Sequence, residues 1–165
     1  MILKKLALVS SVLGAFLLAG CASVPMENAQ ENAQENAQEN AKLKAFPVPE
    51  NNMAGLYIYR DSFVGKALKK DVYVDSACLG ETADRTFLYK QVTGGNKHDI
   101  STESEFSDNK ISIIPEPGKN YFFRQYIKMG VFVGGANLEA VSESEGKRVV
   151  SKESVQLAKS GICSS

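Results

Sequence analysis

Residues 53–165 are expected to form one mainly β domain, a single antiparallel β-sandwich, and three features point there. Short runs rich in β-branched and aromatic residues recur from residue 54 onward, separated by Gly, Asn, Asp or Pro, as strands are separated by turns. The run HDISTESEF (98–106) alternates in polarity, with Asp99, Ser101, Glu103 and Glu105 on one face and His98, Ile100 and Phe106 on the other. A chain of 165 residues with 44% hydrophobic content also has the size and composition of one globular unit. Its 19 basic and 19 acidic side chains leave no net charge to attract nucleic acid.

The N-terminus reads as an export signal. Lys4 and Lys5 precede an apolar run at 6–19 that falls short of the roughly 20 residues needed to span a bilayer. It ends in Leu17-Leu18-Ala19-Gly20-Cys21, which resembles the lipobox of bacterial lipoproteins. That resemblance implies a signal peptide at 1–20 and lipidation of Cys21, with membrane attachment through the lipid. Alanine rather than aspartate at position 22 implies the outer membrane, on its periplasmic face or at the cell surface.

Residues 21–52 read as a tether. Glu27-Asn28-Ala29-Gln30 recurs at 31 and 35 and closes as Glu39-Asn40-Ala41-Lys42. A period of four stacks Glu on Glu at i,i+4, which disfavours a helix, and alanine is the largest apolar residue of the unit. Low complexity and low hydrophobicity predict a disordered spacer, on the order of 30 Å long as a coil. An array of binding sites is the alternative use of such a repeat.

Strand candidates then follow in order. AGLYIYR (54–60) is apolar on both faces, as a central strand would be. DVYVD (71–75) leads into a turn at 75–80, and TFLYKQV (86–92) precedes the alternating run at 98–106. KISII (110–114), NYFFRQYIK (120–128) and NLEAV (137–141) complete the set. Ser142 and Glu145 have capping-box spacing, which predicts a short C-terminal helix, although Val149, Val150 and Val155 leave a strand open.

Three segments carry a family resemblance. Val72-Tyr73-Val74-Asp75 with Leu79-Gly80-Glu81, Gly94-Gly95-Asn96-Lys97-His98-Asp99-Ile100, and Pro117-Gly118-Lys119-Asn120-Tyr121-Phe122 resemble strand and turn motifs of PEGA-like β-sandwiches. Together with the Cys21 motif they resemble the bacterial lipoproteins of the domain of unknown function 2846 family, over about residues 54–150. The resemblance implies a PEGA-like or prealbumin-like sandwich and supplies no catalytic residues. Ser76 and Gly94 replace a glycine and a proline usual at two of the turns.

Cys78 and Cys163 remain once Cys21 is lipidated. Outside the cytoplasm they can form one intramolecular disulfide that ties down the C-terminal tail; free thiols or a linked dimer are the alternatives. With one distant histidine they make a poor metal site, and no metal or cofactor is expected. His98 is the only histidine, no G-x-S-x-G elbow accompanies it, and its place at a strand start suits a structural role better than a hydrolase. Glu103 and Glu105 read as a solvated acidic row rather than a glycosidase pair. No catalytic residue is assigned.

Two copies of F-V-G-x-A stand between strand candidates: Phe63-Val64-Gly65-Lys66-Ala67 and Phe132-Val133-Gly134-Gly135-Ala136. Large apolar side chains in loops need cover. Either the two loops pack on each other, or they form a patch for an envelope protein, lipid or apolar ligand. In the second case Met129, Val131 and Leu138 would enlarge the patch, and Arg60 and Arg124 would rim it. The expected function is therefore a membrane-anchored, non-catalytic binding domain. The alternative is a structural or surface-exposed, antigen-like protein.

Overall fold

The computed structural model describes residues 23–25, 33–104, 109–128 and 134–164. β1 (Met53–Arg60) is buried from Ala54 to its end, so both of its faces must be covered. It lies at the centre of a five-stranded sheet ordered β8 (Gly135–Val141), β7 (Asn120–Lys128), β1, β4 (Thr86–Thr93) and β9 (Gln156–Leu157). The second sheet is ordered β3 (Ala77–Thr82), β2 (Lys70–Val74), β5 (His98–Thr102) and β6 (Asn109–Ile113).

Strand parity divides the interior into two layers. Leu56 and Ile58 point between the sheets, where they meet Leu88, Phe123, Val72, Val74 and Ile100. Tyr57 and Tyr59 point the other way and pack with Phe87 and Phe122 beneath α1 (Ala33–Lys44) and α2 (Glu143–Val150), which contribute Leu43, Val149 and Val150. Each such side chain contributes about 1.5–3 kcal/mol when fully buried.

The two-sheet sandwich matches the sequence-based expectation, and several details correct it. The first sheet is mixed: β1 runs parallel to β7, with Gly55 opposite Asn120, and β4 runs parallel to β9. The chain leaves this sheet after β4 and returns only after β5 and β6, which gives the return strand its parallel direction. The segment read as a turn at 75–80 is a two-residue turn followed by β3. Asp75 and Ser76 both adopt positive φ, 51° and 64°, as a type I′ hairpin requires. β5 stops at Thr102 because the Glu103 carbonyl accepts from Ala136 N of the other sheet, 3.1 Å away. Ser142 does cap α2, accepting from Glu145 N at 3.2 Å, and the chain after the helix forms β9.

The largest correction concerns the repeat. Residues 33–44 are helical rather than coil, and the helix is docked. Leu43 is 4% exposed, and its carbonyl accepts from Tyr57 Oη at 2.9 Å. Asn40 accepts from Leu157 N at 2.9 Å and donates to Gln156 at 3.1 Å. Tertiary contacts therefore outweigh the unfavourable period of four. They come from Asn40, inside the last repeat, and from Leu43 just beyond it.

Two further ties fix the sheets to each other. Gln125 of β7 is fully buried between them, donates to Thr102 Oγ1 at 2.7 Å and accepts from Thr82 Oγ1. The Cys78–Cys163 disulfide fastens the tail to β3, as expected, and Gly161 N donates to Leu79 O at 2.8 Å beside it. Ser164 N completes the seal by donating to the buried Asp71 carboxylate at 3.2 Å.

Candidate functional site

The end of the sandwich where β1 stops gathers an exposed apolar loop at Phe63 and Val64 and the segment at residues 23–25. Arg60 continues the inward parity of Leu56 and Ile58, so its side chain enters the space between the sheets and is fully buried. Its Nη1 donates to Leu68 O at 2.7 Å and its Nη2 to Gly65 O, which fixes the loop at 61–69 from beneath. Burial pulls the Arg60 guanidinium below its ordinary pKa, and nearby Asp84 works against that shift. Asp84 also accepts from Ser62 N at 2.9 Å, so the loop is held at both of its first turns.

Glycines allow this packing. Gly65 has φ +67°, and a Cβ there would lie 2.6 Å from Ile127 Cγ1. A Cβ on Gly134 would lie 2.7 Å from Leu68 Cδ1 and 3.2 Å from Ile127 Cγ2. Gly65 of the first F-V-G-x-A segment and Gly134 of the second thus converge on one isoleucine of β7. The outer part of the first loop stays uncovered: Phe63 is 81% and Val64 51% exposed, and Lys66 Nζ lies 4.7 Å from the Phe63 ring centroid.

The N-terminal segment meets the same end. Val24 is 5% exposed, in the inter-sheet core with Ala83 and Ala158, and Pro25 O accepts from Lys159 N at 2.8 Å. Ser23 and Val24 line a shallow depression of about 270 Å³ with Asp84, Arg85 and Thr86. Asp84 therefore stands between the segment that follows Cys21 and the segment that presents Phe63.

Comparison with known proteins places the chain. A family model described as a protein of unknown function, DUF2846, matches residues 50–136. The chain belongs to this family. It is also 53% identical over 150 residues to an uncharacterized protein of Haemophilus influenzae (strain ATCC 51907 / DSM 11121 / KW20 / Rd), an alignment covering 90% of this chain and 84% of the relative.

In this DUF2846 member the other sequence-predicted positions fall as follows. Cys21, Phe132, Val133, Met129, Val131 and Glu105 lie outside the described residues. Arg60 does not rim a patch but is buried beneath one. Arg124 lies on β7 and pairs with Glu139 of β8 at 2.5 Å, on the outer face. Leu138 is buried in the inter-sheet core and enlarges no surface. Glu103 pairs with Lys70 at 3.3 Å.

His98 has both ring nitrogens engaged, Nδ1 with Asp75 Oδ2 at 2.7 Å and Nε2 with Thr93 O at 2.9 Å. Two acceptors favour the doubly protonated ring. Partial burial opposes the charge, but the Asp75 and Thr93 bonds outweigh it and the His98 pKa is raised. The Asp75 carboxyl is held below its ordinary value: burial opposes this, and the bonds from His98 and from Asp99 N prevail. Among the described residues no three His, Cys, Asp or Glu side chains are grouped to hold a metal ion.

Arg60, which the sequence reading placed at the surface, and Gln125, which it passed over, are both buried between the sheets. Parity was the available signal for both, since each lies on the inward face of a strand whose other inward residues are apolar.

Proposed function

We propose that this chain is a lipid-anchored protein of the bacterial cell envelope whose β-sandwich works by binding and not by catalysis. The observation that carries the reading is the position of Val24. A cysteine in a lipobox-like sequence is followed, after two residues, by Val24, whose side chain is buried in the folded domain. Acyl chains on Cys21 would anchor the protein at about 0.8 kcal/mol per buried methylene, and more than one chain makes the attachment stable. Ala22 supports the outer membrane as the location.

The repeat then has a different place from that of a spacer. Val24 and Pro25 dock ahead of it, and α1, which contains its second half, docks on the five-stranded sheet, so both ends of the repeat are tied to the same domain. The lipid-to-domain distance is set by Ala22 and Ser23, a reach of about 7 Å when extended. The exposed Phe63 and Val64 side chains support a binding role for this end of the domain. The commitment of both His98 nitrogens to Asp75 and Thr93 supports a structural role for the only histidine.

Labelling cells with an alkyne fatty acid tests the anchor. The wild-type chain should carry the label and fractionate with membranes, and Cys21→Ala should lose both properties. A wild-type chain of unmodified mass at Cys21 would refute the reading.

A further inference from the structure

We propose that the exposed Phe63–Val64 loop is a second membrane contact, inserting into the same bilayer leaflet that holds the lipid on Cys21; the inference rests on the anchored reading above. The occupant follows from where the chain emerges. Ser23 lies against the Ala83–Thr86 turn, and Ser62 N is bonded to Asp84 of that turn at 2.9 Å. Cys21 is two residues from Ser23, and Phe63 is one residue from Ser62, on either side of the same carboxylate. An anchor that short brings this end of the sandwich down to the lipid headgroups and carries Phe63 with it. The other strongly exposed apolar side chains of the described residues do not share this position. Ile114 adjoins Pro115, whose carbonyl accepts from Gly95 N beyond the end of β4, and Val48 adjoins Pro47, whose carbonyl accepts from Asn120 at the start of β7. Both lie at the opposite end.

Charge agrees with a bilayer as the occupant. The carboxylates at this end are largely covered and paired: Asp61 with Lys152, Asp84 with Arg85, and Glu81 with Lys69. Among the described residues at this end, Lys66, Lys69, Arg85, Lys128 and Lys152 are exposed cations, and Glu153 is an exposed acid. An aromatic residue beside lysines is the composition of an interfacial anchor, with the ring below the headgroups and the ammonium reaching back to phosphate. Arg60 acts as a positioning residue here, because its two bonds hold Gly65 and Leu68 and so keep the loop presented.

The test uses the full, lipidated chain in vesicles of phosphatidylethanolamine and phosphatidylglycerol. An environment-sensitive fluorophore is attached through Phe63→Cys or, as control, Ile114→Cys, with the Cys78–Cys163 bridge kept oxidised. Both positions are exposed, so both variants should fold; their melting transitions check this. A blue-shifted emission at 63 that brominated acyl chains quench, with an aqueous spectrum at 114, is the expected result. Quenching by brominated lipid separates bilayer from contact with another copy of the protein. Chains that float with the vesicles but give an aqueous spectrum at 63, or the same shift at 63 and 114, would overturn the loop contact and leave the anchor standing. Chains that do not float and carry no lipid on Cys21 would overturn both.

Discussion

Replacing Leu43 by alanine removes the main apolar contact between α1 and the five-stranded sheet. Leu43 is 4% exposed and packs in the layer that holds Tyr57, Phe87 and Phe122. Buried Leu→Ala changes cost about 2–5 kcal/mol, and a helix lying on a sheet can settle into part of the vacated space, so about 2–3 kcal/mol is expected. Asn40→Ala removes the bonds to Leu157 N and Gln156 and should cost about 1–2 kcal/mol by itself. The two losses overlap, because undocking α1 forfeits both sets of contacts, and the double variant should fall short of the sum. With a urea dependence of about 2 kcal/mol per molar, Leu43→Ala should lower the unfolding midpoint by about 1–1.5 M. Amide exchange across residues 33–44 should be slow in the wild type and fast in the variant. A stability unchanged to within about 0.5 kcal/mol, with fast exchange in both proteins, would mean that the helix is not part of the domain.

Further expectations concern the ties elsewhere. The Cys78–Cys163 bridge spans a sequence separation of 85, for which chain entropy sets a ceiling of about 4–5 kcal/mol. Cys163→Ser should therefore lose about 2–4 kcal/mol in urea unfolding, and the difference should vanish when the wild type is measured in reductant. Gln125→Ala opens a cavity between the sheets and removes one partner each from Thr82 and Thr102, which keep their bonds to the Lys70 and Asp71 carbonyls; stability should fall by about 2–3 kcal/mol, and a loss below about 1 kcal/mol would contradict the tie. For His98 the folded pKa is raised, so its stabilisation is complete below its ordinary value of about 6.5 and is lost as pH rises through the folded value. For Asp75 the folded pKa is lowered, so its share is present above the ordinary value of about 4 and is lost in acid. Stability of wild type minus His98→Gln should accordingly be largest between about pH 5 and 6.5 and shrink towards pH 9. A difference independent of pH would show that His98 binds its proton equally in the folded and unfolded chain, and a difference that grows towards pH 9 would show a ring neutral in the fold; either outcome contradicts the charged pair with Asp75.

Legibility in the sequence followed the strength of local pattern. β1 was readable because LYIY has no polar face, and β7 because NYFFRQYIK is bounded by Asn and Lys and is rich in aromatic residues. β3 was missed because Asp75-Ser76 lacks the glycine that usually marks a type I′ turn, and because Gly80 within ACLGET looked like turn material. α1 was missed for a different reason. The four-residue unit was weighed alone, whereas the contacts that hold the helix reach α1 from Tyr57, Gln156 and Leu157, far along the chain. Gly65 and Gly134, one from each F-V-G-x-A segment, both lie against Ile127, while Phe132 and Val133 lie outside the described residues. Arg60 was misplaced because charge was given more weight than strand parity.

Under the proposed anchoring at Cys21, Val24 and Pro25, and not the repeat, fix the height of the domain above the membrane. Neutron reflectometry on lipidated chains in a supported bilayer measures that height directly. Variants with two and four extra Glu-Asn-Ala-Gln units inserted after Gln30 should give a protein layer at the same distance from the headgroups as the wild type. A layer that rises with each added unit would contradict the claim and return the repeat to the role of a spacer.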